Sequence, residues 1–282
     1  MYTLKVENKR GNILNLSASP LYDLLRVDGI TPPTASILTG VVGTMDGEQF
    51  NAVRLDMRNI LLTVRPKAPV EKNRVALYRY FSPKQWVRVY YANGERDVYI
   101  DGYVESFPGS LFDNPQSFQI SIICPDPYFK DMSEIVHDGS YTTALFEFPF
   151  AIEEEGIGFS TYDNTQDILI LNDGDDSAGM IITLKATGPV ENPILYRRDT
   201  LEDFELNFSM QDGDVVEINT RKGNKGVTLT RNGVKYNIVN AVAKNPTWFQ
   251  LEPGDNIFTY SAQIGEEMLT ASFTFIQVYE GV

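Results

Sequence analysis

Phe118-Gln-Ile-Ser-Ile-Ile-Cys-Pro-Asp-Pro-Tyr-Phe129 decides how this chain divides. Phe118, Ile120 and Ile122 alternate with Gln119 and Ser121, the period of two that marks a strand with one buried face. Pro125 and Pro127 then end it, since neither can donate to a ladder and each steers its predecessor away from helix. Charge changes at the same place. Residues 1–132 carry 15 Lys/Arg and 14 Asp/Glu, net +1, whereas residues 133–282 carry 9 and 24, net −15, giving −14 for the whole. The stretch therefore reads as the last strand of a first domain, 1–132, and the exit to a second, 133–282.

A chain of 282 residues, 43% hydrophobic, suits two globular domains of ordinary size. It holds no apolar run of about 18 residues that could span a bilayer as a helix. Met1-Tyr-Thr-Leu-Lys-Val-Glu7 lacks the basic and apolar regions of a secretory signal, which predicts synthesis in a cytoplasm. One cysteine and one histidine give neither a disulfide framework nor a Cys/His metal set. The acidic second half disfavours nucleic acid and anionic membranes as partners.

The first half alternates and turns often. Strand-like pieces occur at 2–6, 13–16 and 36–39. Gly40, Gly43 and Asp46-Gly47 then punctuate a segment that reads as a long, bent hairpin with Asp-Gly near its tip. Arg54–Val64 reads as a central strand. Residues 69–82 have helical spacing, with Val75, Tyr78 and Phe81 on one face and Leu77 beside it, and Pro83 stops the helix. Strands at 86–91 and 97–105 join across Asn93-Gly94. The second half predicts strands at 146–150, 167–171, 179–184, 203–208, 214–219, 227–230, 234–238, 256–260 and 272–279, with a hairpin at Asn232-Gly233. Short strands at this spacing indicate a sandwich or jelly roll.

Several stretches together resemble a known family. They are Asp46-Gly47 with Arg58-Asn59-Ile60, Arg74-Val-Ala-Leu77-Tyr78-Arg-Tyr80-Phe81, Tyr99-Ile-Asp-Gly102-Tyr103-Val104-Glu105 and Ile120–Tyr128. Gly213-Asp214, Ile218-Asn219-Thr220, Leu251-Glu-Pro253-Gly254-Asp-Asn256 and Tyr279-Glu-Gly-Val282 continue the match in order. The sequence resembles the siphophage distal tail proteins, the Dit family, prophage relatives included. The resemblance implies a mainly β protein: an N-terminal β-sandwich with one short helix and an extended hairpin, plus a C-terminal galectin-like or jelly-roll β-sandwich. It implies a homohexameric ring in the virion tail tip, joining the tail tube protein to the tail-tip (Tal-type) protein and carrying receptor-binding or other baseplate proteins. DNA would pass through such a ring without being specifically bound. At this length the chain is similar to the short form, without large inserted carbohydrate-binding modules, and no enzyme activity, cofactor or metal is implied.

The residues themselves leave choices open. Gly43, Asp46, Gly47 and Arg58 are the candidates for contacts between copies; the 40–50 segment is either a protruding hairpin or an ordinary surface loop. Arg58 suits a bidentate carboxylate pair, with Asp56 in its own chain or an acid of a neighbour. His137, in Ile135-Val-His-Asp-Gly139, reads as a solvated linker residue, since no nucleophile elbow accompanies it. Cys124 reads as an inert buried thiol. Asp173-Gly-Asp-Asp-Ser177 lacks the spacing of a calcium loop and reads as a tight turn; Glu153-Glu-Glu155 and Arg221-Lys-Gly-Asn-Lys225 read as loop ends. Aromatic residues Tyr78, Tyr80, Phe81, Trp86, Tyr90 and Tyr91 divide between core and interface. Two rival functions have their own signatures: a carbohydrate-binding module needs an exposed aromatic beside polar groups in a cleft, and a wall-degrading enzyme needs paired acids, which no spacing here supplies.

Overall fold

The computed structural model describes residues 2–44, 46–139, 141–144, 160–163 and 167–282. They form two compact units, Met1–Met132 together with Val278–Val282, and Ser133–Gln277. The second domain expected to run to 282 thus ends at 277. The reason is local: Val278–Tyr279 pair with Phe129–Lys130, and Tyr279 is buried in the first unit's core.

In the first unit the strands are β1 Thr3–Asn8, β2 Ile13–Asn15, β3 Tyr22–Asp28, β4 Ala35–Gly40, β5 Gln49–Leu55, β6 Arg58–Pro66, β7 Trp86–Ala92, β8 Asp97–Ser106, β9 Phe118–Cys124 and β10 Phe129–Asp131, with helix α1 at Val70–Tyr80. One antiparallel sheet runs β2-β1-β7-β8-β9-β6-β3, and β10 attaches to β8. Register puts Ile60 opposite Ile122, Leu62 opposite Ile120 and Val64 opposite Phe118, so the alternating residues of β6 and β9 share one buried face. Leu4 and Val6 near one edge and Tyr22 on the other edge strand lie in the same core, so the sheet folds over its own apolar face. Ser121 is buried off the alternation, its hydroxyl 2.9 Å from Asn59 Oδ1 and 2.8 Å from Glu105 Oε2.

Two expectations need correcting here. The strand read as 54–64 is broken at Asp56–Met57, because residues up to Leu55 belong to a separate hairpin and only Arg58 onward joins the main sheet. Helix α1 forms where its spacing predicts, but it buries Asn73 and Leu77, continued by Phe81, while Val75 and Tyr78 face outward. The buried polar residue explains the misread face. Asn73 donates to the Lys67 carbonyl (2.9 Å) and its own carbonyl accepts from the Tyr22 hydroxyl (3.0 Å), a bonding pattern that a hydrophobic periodicity cannot register.

The second unit has strands β11 Ile135–Asp138, β12 Tyr141–Ala144, β13 Ser160–Asp163, β14 Ile168–Asn172, β15 Ala178–Ala186, β16 Val190–Arg197, β17 Glu202–Glu205, β18 Ser209–Met210, β19 Val215–Asn219, β20 Gly226–Arg231, β21 Val234–Asn237, β22 Gln250–Leu251, β23 Gly254–Ile264 and β24 Leu269–Phe275; β25 is the returning Val278–Tyr279. One antiparallel sheet runs β11-β24-β15-β19-β20-β21 and another β14-β23-β16-β17. Phe258 of β23 and Phe273 of β24 meet at 5.2 Å between ring centres, so the two sheets pack face to face. Phe249 and Phe204 extend this aromatic layer. Asn232 and Gly233 both adopt positive φ, 52° and 76°, as a two-residue hairpin turn requires. The strand expected at 146–150 lies outside the described residues.

Candidate assembly site

Strands β4 and β5 form a two-stranded sheet of their own, to which no other described strand is hydrogen-bonded. Ala35 faces Leu55, Ile37 faces Val53, and a bulge between Leu38 and Thr39 bends the ribbon. The hairpin is therefore longer than the 40–50 segment that the turn residues outline. Gly43 and Gly47 sit in its connecting segment with φ of 54° and 87°, and Asp46 beside them is exposed. A Cβ added at either glycine would meet nothing within 4 Å. These residues shape a tip in open space.

The hairpin's surface is unlike that of a solvated loop. Ile37, Val41, Phe50 and Val53 are exposed by 64%, 75%, 60% and 56%, with Leu38, Val42 and Met57 also exposed. An isolated two-stranded ribbon is marginal in water, because cross-strand pairs contribute only about 0.2–1 kcal/mol each. Neither outer edge pairs with another strand among the described residues.

Arg58 stands at the foot of the hairpin and is only 2% exposed. Its Nε donates to the Pro127 carbonyl at 2.7 Å, and Nη1 donates to the carbonyls of Gly29 and Thr31, each at 2.7 Å. Nη2 donates to the Glu280 carbonyl, and the guanidinium lies 4.8 Å over the Phe129 ring. The carboxylate pairing expected of Arg58 is not what its geometry uses. Asp56 instead accepts from the Ser36 hydroxyl at 2.5 Å and lies 3.7 Å from Arg54. Burial lowers the Arg58 pKa from its ordinary value. No spacing in the sequence could reveal this site, because its carbonyls come from segments 27 to 222 residues away.

The other candidates take structural places. His137 lies in β11, paired with Phe273 and stacked on Phe275 at 6.2 Å, rather than in a linker. The Cys124 thiol is fully buried and burial pushes its pKa up to about 12, so it carries no thiolate at neutral pH. The turn after β14 is held from inside: Asn172 donates to the Asp176 carbonyl (3.1 Å) and accepts from the Gly174 amide (3.0 Å). Arg221 pairs with Glu134 at 3.3 Å. Arg74 pairs with Glu71 one turn away and donates to the Tyr78 hydroxyl, which keeps it within α1. Glu153–Glu155 lie outside the described residues. In the second unit a hollow of about 460 Å³ is lined in part by Tyr196, Arg198, Leu201, Glu202 and Asp203.

Residues 173–275, within the second unit, match the family of siphovirus-type tail components, C-terminal domain. The crystal structure of the phage SPP1 Dit protein, described as a paradigm of the hub adsorption apparatus in Gram-positive infecting phages, matches with a TM-score of 0.71 at 11% identity, over 99% of both chains. The fold is that of a distal tail protein. Chains in two structures of the phage p2 baseplate in its activated conformation, with calcium and with strontium, match in fold at TM-scores of 0.54 and 0.51, 9% identity and complete coverage of both chains. No curated protein sequence matches. The family match covers the second unit's strands from the acidic turn to β24, and the likeness to the SPP1 protein extends the correspondence of fold to the first unit.

Proposed function

We propose that this chain is a structural component of a phage tail: a homohexameric distal-tail hub whose first unit forms the ring. On this reading one face of the ring docks the tail tube and the other the tail-tip protein, and the second unit, galectin-like in role as a display module, carries receptor-binding or other baseplate proteins. The observation that carries it is the free-standing β4–β5 hairpin with its uncovered apolar residues. A hairpin reaching from each copy to the next is a heterologous contact, the kind that closes rings. The charge split supports the same arrangement, since net −14 per second unit (9 Lys/Arg against 23 Asp/Glu over 133–277) favours keeping those units apart at the periphery.

The test is light scattering after size exclusion, with negative-stain imaging. The chain should give a mass near six copies and ring-shaped particles, and Ile37→Asp with Val53→Asp should abolish them while leaving each unit folded. A chain that stays monomeric with tube and tip proteins added overturns the hub reading. A carbohydrate-binding role has one observation in its favour, the half-exposed Tyr196 beside Glu202 and Asp203 in the second unit's hollow. Binding on a glycan array that is lost in Tyr196→Ala would establish that role instead.

A further inference from the structure

The direction in which the hairpin leaves the first unit has to be fixed at its two feet, since no described strand pairs with it elsewhere. One foot is the 29–34 connection from β3, the other Asp56–Met57 leading into Arg58. We propose that residues 280–282, acting through Arg58, clamp these feet and so aim the hairpin for assembly; this rests on reading the hairpin as the assembly arm.

The contacts converge on the entering foot. Gly29 has φ of 81°, and a Cβ there would sit 2.0 Å from the Asn59 carbonyl oxygen, so the backbone of the foot lies directly on β6. Arg58 holds the Gly29 and Thr31 carbonyls with one nitrogen and the Glu280 carbonyl with another. The Val282 amide donates to the Ile30 carbonyl at 3.0 Å. A Cβ on Gly281 would meet Pro32 Cδ at 2.7 Å and its nitrogen at 2.9 Å, so glycine is what lets the returning chain lie against the foot. Behind this contact, Arg96 donates to the Gly281 carbonyl and stacks 4.3 Å over the Tyr279 ring, fixing the clamp itself. Ser36 bonding Asp56 ties the two feet together.

A segment that merely completes the core would, if disturbed, loosen the whole unit. A clamp would loosen the hairpin first. These differ in the pattern of amide hydrogen exchange, which reports opening segment by segment. Gly281→Val, which pushes on Pro32, should speed exchange at Ile30 and across β4 and β5 by about tenfold or more, leave β7, β8 and β9 unchanged, and lower the fraction of rings. Gly281→Ala should show the same pattern to a lesser degree, and it decides the matter where the valine variant does not fold. Uniform acceleration, unchanged hairpin exchange, or a hairpin already unprotected in the parent chain overturns the clamp. If the parent forms no rings even with tube and tip proteins added but hairpin exchange responds locally, the hub reading falls and the clamp stands.

Discussion

A guanidinium at 2% exposure with its donors spent on carbonyls is an uncommon use of arginine. Carbonyl dipoles offset the positive charge, with the Glu280 carboxylate adding to them, and each charge-assisted bond contributes on the order of 1.5–3 kcal/mol. Arg58→Met keeps much of the volume but leaves several carbonyls without that donor. It should destabilise the first unit, by about 1–3 kcal/mol for each carbonyl left buried without a partner, in denaturant unfolding, and leave the second unit's transition unchanged. Cys124 gives a second test. Its folded pKa, about 12, exceeds the ordinary thiol value of 9.0. Between those values the unfolded chain has lost the thiol proton and the folded chain has kept it, so stability falls as pH rises, by up to about 1.4 kcal/mol per pH unit from this group. Other groups titrate in that range, so the prediction concerns a difference: the alkaline slope should be shallower in Cys124→Ala than in the parent.

At the scale of elements, helix α1 separates what periodicity reveals from what it conceals. Its existence and ends follow from spacing and Pro83, but its orientation depends on Asn73, which a hydrophobic pattern assigns to the wrong side. Leu77→Ala should cost about 2–5 kcal/mol, whereas Val75→Ala on the exposed face should stay within about 0.5 kcal/mol, both read by chemical unfolding. Strand β16 was illegible for a related reason. Pro193 sits inside it opposite Ala262, and Asn192 takes a positive φ of 48°, features that ordinarily argue against a strand. By contrast β9 and the Asn232-Gly233 turn are set by local chemistry alone, and both were readable. The join between β19 and β20 makes its own prediction. Asp214, buried immediately before β19, accepts from the Gln211 amide at 2.8 Å and from Arg231 Nε at 2.9 Å. The Arg231 guanidinium holds its carboxyl below the usual carboxylate range. That stability is present above the ordinary Asp pKa and lost as pH falls through the depressed one, so Asp214→Asn should flatten the acid limb of the second unit's stability below about pH 4.

At the scale of the whole chain, the change of charge at residue 132 marked where the second unit begins, but composition could not show that the chain returns. The second unit is an insertion: the chain leaves the first sheet after β10 and re-enters it as β25, with Lys130 directly opposite Val278. Paired antiparallel strands bring their ends within reach of a short turn, about 5 Å between facing Cα atoms. Residues 133–277 can therefore be replaced by Asn-Gly, so that Asp131-Met132-Asn-Gly forms a four-residue loop between the paired Lys130 and Val278. The resulting protein should keep the clamp residues 280–282, unfold cooperatively, and still assemble, because the hairpin and its feet all belong to the retained unit. It should also respond differently to salt. With the net −14 units present, repulsion between copies at short range weakens as salt screens it, so assembly of the full chain should tighten from low to physiological ionic strength. With those units removed the retained domain is near neutral and the salt dependence should nearly vanish. Sedimentation of the two proteins across a salt series checks both parts. A trimmed protein that folds but never associates would place the assembly contacts in residues 133–277, against the role assigned to the hairpin.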